Sequence, residues 1–241
     1  MTQNIYDDPN FFRAYAQLPR SIQGLDAAPE FPALRALLPD LNGLDVLDLG
    51  CGYGWFCRWA RTQGAGRVTG VDVSERMLAR ARSMTNDPAI AYAREDLETI
   101  KLKPKAYGLV YSSLAFHYLH NLEGLLGEVR SALTPRGRLL FSVEHPIVTA
   151  PLQPRWSDDV CGRKSWPVSG YLREGERATD WLAKGVIKQH RTIATYVRLL
   201  LHQGFRLAHL EEWGPTPQQI EAQPTLAVER ERPPFLLLAA E

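Results

Sequence analysis

Three glycines alternate at Gly50, Gly52 and Gly54, between the apolar run Val46-Leu47-Asp48-Leu49 and an apolar helical segment, Trp55 to Arg61. Glycines at this spacing let a backbone approach a ligand where a Cβ would clash. The N-terminus of the following helix offers free N–H groups to an anionic group. A second apolar run ends Thr69-Gly70-Val71-Asp72, and an acid placed there accepts hydrogen bonds from two ribose hydroxyls. The expected ligand is therefore a nucleoside. A dinucleotide fingerprint needs its third glycine five positions after the first, but Trp55 occupies that position. Three histidines also invite chemistry. His117 follows the fourth apolar run, His145 stands beside Glu144 at the end of the fifth, and His190 lies in Lys188-Gln189-His190-Arg191-Thr192. Imidazole titrates near neutrality and suits removal of a proton from an N–H or O–H nucleophile. Each histidine also has an ordinary reading as a packed, hydrogen-bonded side chain.

These residues need elements to hold them. Apolar runs predict strands at 44–49, 67–72, 89–94, 107–112, 137–143, 205–212 and 235–240, with helices at about 27–38, 55–63, 75–84, 121–132 and 190–203. A proline-punctuated helical segment is expected at 216–231. Asp26 is the expected cap of the first helix. Alternating strand and helix predicts a parallel, doubly wound α/β sheet, whose ligand lies beyond the carboxyl ends of the strands at the switch point. Residues 1–25, with Tyr6, Phe11, Phe12 and Tyr15, read as an N-terminal lid. Residues 146–185 carry Trp156, Trp166, Tyr171 and Trp181 among several prolines, too long for a plain connection. They read as a substrate cap, whose flat rings suit a planar ring or a cationic amine, or as a satellite hydrophobic cluster.

The 241 residues are 45% hydrophobic and 23% charged, enough for one domain, and the formal charge of +1 implies no general attraction to nucleic acid. Cys51, Cys57 and Cys161 have neither metal spacing nor an even count. No apolar run is long enough to span a membrane, and the polar N-terminus lacks a signal-peptide core. The expected setting is cytoplasmic.

The glycine pattern, with Asp48 two residues ahead of Gly50, resembles motif I of the class I S-adenosylmethionine-dependent methyltransferases. The resemblance continues in order through Gly70-Val71-Asp72-Val73-Ser74, Arg94-Glu95-Asp96-Leu97, Tyr107 to Ser113, and Leu133-Thr134-Pro135-Arg136-Gly137. It implies a Rossmann-like, seven-stranded sheet, mostly parallel with an antiparallel last strand. It also implies S-adenosylmethionine as cofactor. Gly50, Gly52 and Gly54 would line its methionine end, Asp72 its ribose hydroxyls, and Asp96 and Leu97 its adenine. Val73 and Met77 would pack on the adenine, and Asp48 or the Ser112 carbonyl would meet the ammonium group. Tyr15 and Arg20 would come from the lid, with Arg20 paired to the carboxylate as a fork.

The fourth strand ends Tyr111-Ser112-Ser113-Leu114 rather than Asn-Pro-Pro-Tyr, which disfavours methylation of DNA bases or glutamine. No acid cluster suggests a metal site. The expected acceptor is a small molecule, methylated on nitrogen or oxygen, with His117, His145 or His190 placing or deprotonating it. Rival readings are an RNA or protein methyltransferase and a non-catalytic S-adenosylmethionine-binding protein. A dehydrogenase is the weakest reading. The last strands and the insertion could support a homodimer.

Overall fold

A computed structural model describes residues 3–241; residues 1 and 2 of the expected lid lie outside that range. A sheet of seven strands forms the centre. Its strands are β1 (Val46–Leu49), β2 (Val68–Asp72), β3 (Ile90–Arg94), β4 (Tyr107–Ser113), β5 (Leu133–Glu144), β10 (Leu207–Trp213) and β11 (Phe235–Ala240). Their spatial order is β10-β11-β5-β4-β1-β2-β3. β1 pairs in parallel with both β2 and β4, so the order reverses beside it. β11 runs antiparallel to β5 and β10.

Strand periodicity of two divides the side chains between two cores. On β5, Leu139, Phe141 and Val143 join one core while Leu140 joins the other; on β11, Leu236 and Leu238 oppose Leu237 and Ala239 in the same way. The helices α6 (Leu122–Ala132) and α8 (Ile193–His202) cover the first face. The helices α3 (Phe31–Ala36), α4 (Trp55–Thr62) and α5 (Glu75–Ser83) cover the second.

Near the N-terminus lie α1 (Pro9–Tyr15) and α2 (Pro19–Gln23). The helix expected at 27–38 is shorter, because Pro29 disfavours a helical Ala28. Ala28 is extended, and helix begins only at Phe31. The insertion runs past its expected end at residue 185 to His190 and holds α7 (Pro146–Thr149) and two hairpins, β6 (Ser157–Asp158) with β7 (Lys164–Ser165), and β8 (Gly175–Thr179) with β9 (Val186–His190). His190 thus ends a strand instead of opening a helix. Thr192 caps α8, its side chain accepting from the Thr195 N–H at 3.2 Å. The stretch Leu133 to Gly137 lies within β5, opposite a register shift between Tyr107 and Leu109. In the 216–231 segment, α9 (Pro217–Ala222) precedes a 3₁₀ turn, Pro224–Arg230.

Candidate active site

A cavity of about 680 Å³ opens beyond the carboxyl ends of β1, β2, β4 and β5. Strand ends that reverse order there leave a crevice that no crossover helix fills. Of the residues expected from sequence, Tyr15, Arg20, Gly50, Gly52, Asp72, Val73, Met77, Asp96, Leu97 and His117 line it. Asp48, Gly54, Ser112, His145 and His190 do not, and each has a physical reason.

Asp48 follows the period-two alternation of β1 onto the α4 face, where it is 3% exposed and accepts from the Cys57 thiol at 3.3 Å. Burial pushes its carboxyl up to about 7, against that hydrogen bond. It borders a separate recess of about 100 Å³ shared with Tyr15, Arg20 and Gly50. The Ser112 hydroxyl turns back to the Leu49 carbonyl at 2.7 Å, and the next residue, Ser113, lines the cavity. Gly54 is a packing glycine. At φ +68° it starts α4, and a Cβ there would lie 2.1 Å from the Tyr92 hydroxyl oxygen. Gly54→Ala is therefore expected to lower stability by about 2–4 kcal/mol through overpacking and left-handed strain, read as a shift of the denaturant midpoint. Gly52 differs: at φ +52° nothing lies within 4 Å of an added Cβ.

Asp72 is the centre of the site. Its carboxylate accepts the Gly52 and Ser74 N–H groups, each at 2.9 Å. A carboxylate has about four acceptor positions, so it can still serve two hydroxyls. Burial pushes it up to about 6, against those backbone hydrogen bonds. Val73, Met77 and Leu97 add an apolar slot beside it. A two-hydroxyl acceptor and an apolar slot fit the nucleoside half of S-adenosylmethionine, and the open backbone at Gly52 leaves room beside them.

Arg20 reaches the cavity but is already paired, its Nη2 lying 2.9 and 3.1 Å from the two oxygens of Glu30, which is 1% exposed. Burial pulls the guanidinium pKa down, and the Glu30 carboxylate more than restores it, leaving it raised. Neither Glu30 nor this pairing was legible in the sequence.

The three histidines share one tautomer. The Glu144 N–H donates to His117 Nδ1 at 3.3 Å, and the Ile147 N–H donates to His145 Nδ1 at 3.0 Å. His190 Nε2 faces the Tyr171 carbonyl at 2.8 Å, which can only accept, so Thr149 Oγ1 donates to its Nδ1. In each neutral ring the proton sits on Nε2. His145 uses that proton on Glu212, at 2.8 Å. Burial lowers all three pKa values, His117 to about 4. His117 therefore presents a neutral N–H donor at the cavity, while His145 and His190 hold the insertion in place.

The aromatic insertion divides. Trp156 and Trp166 pack on each other, centroids 5.2 Å apart, and against Arg232; Tyr171 packs on His190. Trp181 alone among the four lines the cavity, meeting Phe11 and Tyr15 edge-on. Sequence reasoning missed Tyr118 and Phe235, and saw Glu144 only as a neighbour of His145; all three line the cavity. The signal available was position, since Glu144 is the last residue of its strand.

No helix among the described residues is long and apolar enough to cross a membrane, and no described cluster of His, Cys, Asp or Glu could hold a metal. The profile of the methyltransferase domain family matches residues 47–141. A crystal structure of an S-adenosylmethionine dependent methyltransferase from Mesorhizobium loti is 52% identical, with a TM-score of 0.88, covering 90% of this chain and 99% of that one. An uncharacterized protein of Haemophilus influenzae is 33% identical over 217 residues, 87% of this chain and 85% of its own. The malonyl-[acyl-carrier protein] O-methyltransferase of Pectobacterium atrosepticum is 38% identical over 109 residues, 45% of this chain and only 42% of its own length. The chain belongs to the class I S-adenosylmethionine-dependent methyltransferases, and S-adenosylmethionine is its cofactor.

Proposed function

We propose that the enzyme methylates a small molecule on nitrogen or oxygen. The observation that carries this reading is the cavity of about 680 Å³. It runs from Asp72 to Glu144, and Tyr6, Tyr15 and Trp181 from the N-terminal segment and the insertion form its wall. An apolar pocket of this volume with a few polar groups suits a cofactor and a compact acceptor. The malonyl-[acyl-carrier protein] enzymes align over less than half their length, so their acceptor is not transferred to this chain.

Bound S-adenosylmethionine supplies a methyl group made electrophilic by its sulfonium. The remaining work is placement in a dry site. Asp72 accepts the ribose hydroxyls. Asp96 and the Leu97 backbone meet the adenine, between Val73 and Met77. Gly50 and Gly52 admit the methionine end, with Tyr15 and the unpaired nitrogens of Arg20 at its carboxylate. The N-terminal segment and Trp181 close over both ligands and exclude water. His117 donates its Nε2–H to the acceptor and orients it. It is not the base in this reading, because its Nδ1 is taken by the Glu144 N–H and its Nε2 carries the proton.

His145→Gln and His190→Gln are expected to keep kcat within about threefold, since surface-type or packing losses act on stability more than on chemistry. A loss of a hundredfold in either would return that histidine to the chemistry. The reading itself is tested with methyl-labelled S-adenosylmethionine and a cell extract split into small-molecule and macromolecular fractions. Label in the first supports it. Label in RNA or protein overturns it.

A further inference from the structure

The cavity has a one-sided charge. Its lining carries the carboxylates Asp26, Asp72, Asp96 and Glu144 against a single guanidinium, Arg20, and His117 is neutral. Asp72 and Asp96 belong to the nucleoside half. Glu144 does not. It ends β5, three strand spacings from Asp72 at the end of β2 in the order β5-β4-β1-β2, roughly 14 Å away across the sheet. Glu144 therefore places a carboxylate in the acceptor half.

That carboxylate is held, not stray. Lys188 Nζ, from β9, meets Glu144 Oε1 at 2.6 Å and is itself only 6% exposed. Lys188 does not line the cavity; it sits behind Glu144 and against the Trp181 ring, 5.3 Å from its centroid. Oε2 takes no hydrogen bond from any described residue, whereas Oε1 is used. Burial pulls the carboxyl pKa up, but the Lys188 ammonium, by its charge and its hydrogen bond, leads the opposing effects that leave it below the ordinary range, so the group stays charged. Rings line the same cavity, and Tyr118 stands close enough to feel the Glu144 charge. The Tyr6 and Tyr118 hydroxyls touch at 3.2 Å, and Tyr15 lies edge-on to both Tyr6 and Trp181.

Resting on the small-molecule reading above, we infer that the acceptor is an amine, its nitrogen hydrogen-bonded to Glu144 Oε2 inside the ring wall of Tyr6, Tyr118 and Trp181. The amine enters as free base, having left its ammonium proton with solvent. Its lone pair forms the new C–N bond. The S–C bond of the methyl donor breaks with its electron pair going to sulfur, and the positive charge passes from sulfur to nitrogen. No proton has to move in that step, which agrees with a site whose histidine is a donor. Glu144 and the ring faces lie where the new cation forms and stabilise it. A carboxylate acceptor in the same place would meet a fixed like charge.

The test labels the small-molecule extract with methyl-tritiated S-adenosylmethionine and follows the label through alkali and a cation exchanger at neutral pH. The proposal expects label that survives alkali and is retained by the exchanger. Label released by alkali as methanol marks a methyl ester and overturns it, as does label that the exchanger does not retain. With the isolated product's parent as acceptor, Glu144→Gln is expected to cut kcat/KM by about fiftyfold, a charged hydrogen bond lost, while the S-adenosylmethionine Kd stays unchanged. The double variant Glu144→Gln/Lys188→Met removes both buried charges and guards against misfolding; it should lose the same factor. Lys188→Arg keeps both the carboxylate and a cation beside it and should retain most of the activity. Equal losses in Lys188→Arg and Glu144→Gln would reduce Glu144 to a structural partner and overturn its role. Label confined to macromolecules would instead strike the small-molecule reading, a separate failure visible before any variant is made.

Discussion

Asp72→Ala is expected to weaken S-adenosylmethionine binding by about a hundredfold, because two hydroxyl hydrogen bonds to a charged acceptor are lost. The loss should be larger than the contact alone suggests. The same carboxylate fixes the glycine loop through the Gly52 N–H and the start of α5 through the Ser74 N–H. Calorimetric titration gives the number, and an unchanged Kd would remove Asp72 from the binding site. A pH signature accompanies the loss. Burial holds the unliganded Asp72 carboxyl up at about 6, and the ionised form accepts the ribose hydroxyls more strongly than the protonated one. Affinity is therefore expected to be full above pH 7 and to fall below pH 6, by up to about tenfold per unit. For folding the sign is opposite. An acid whose folded pKa is raised binds its proton more tightly in the fold, so its ionisation costs stability as pH rises from about 4 to 6. Acidification through that window relieves the cost while weakening the acceptor for the ribose hydroxyls. Asp48 is raised to about 7 mainly by burial and in smaller part by the Asp72 charge, so it titrates in Asp72→Ala too, somewhat lower than in wild type.

What the sequence revealed and what it hid follow from how each feature is encoded. The nucleoside half is written in local patterns: alternating glycines, an acid closing a strand, apolar residues at helix spacing. Each of those residues reaches the cavity through its own short element, so Gly50, Gly52, Asp72 and Asp96 could be placed from their neighbours alone. The seven strands were visible for the same reason, since a buried parallel strand is a short apolar run between turns. The acceptor half is written in long-range contacts. Tyr6 meets Tyr118, Trp181 meets Tyr15, and Lys188 meets Glu144 across 44 residues; no window of sequence contains both partners. The histidines show the converse. Imidazoles beside strand ends look like bases, yet their tautomers are set by Ile147, Glu212, Thr149 and Tyr171, contacts a residue pattern does not record. Asp48 shows a third limit, for its face follows from strand parity once the core side of β1 is known.

Arg20→Ala is expected to cost about 3–5 kcal/mol, because it strands a buried carboxylate. Glu30 is 1% exposed, and both its oxygens face the Arg20 guanidinium. For a domain of this size the loss lowers Tm by roughly 10 °C. The sequence expectation for Arg20 was a cofactor contact, and the two roles separate cleanly in a double variant. Arg20→Met/Glu30→Leu removes the pair together and should recover most of the stability, since replacing a buried ion pair by apolar groups is often neutral. It should not recover cofactor binding if the remaining guanidinium nitrogens meet the methionine carboxylate. A forked ion pair of that kind is worth about tenfold to a hundredfold in Kd. Wild-type affinity in the stable double variant would confine Arg20 to holding α2 (Pro19–Gln23) against Glu30. A weak Kd with restored Tm would show one arginine coupling the two: its Nη2 anchors the N-terminal segment while its other nitrogens read the cofactor. In that case the segment's closure and the donor's binding share a residue. Thermal stability measured with S-adenosylmethionine should then rise more in wild type than in the double variant, by the difference in ligand affinity alone.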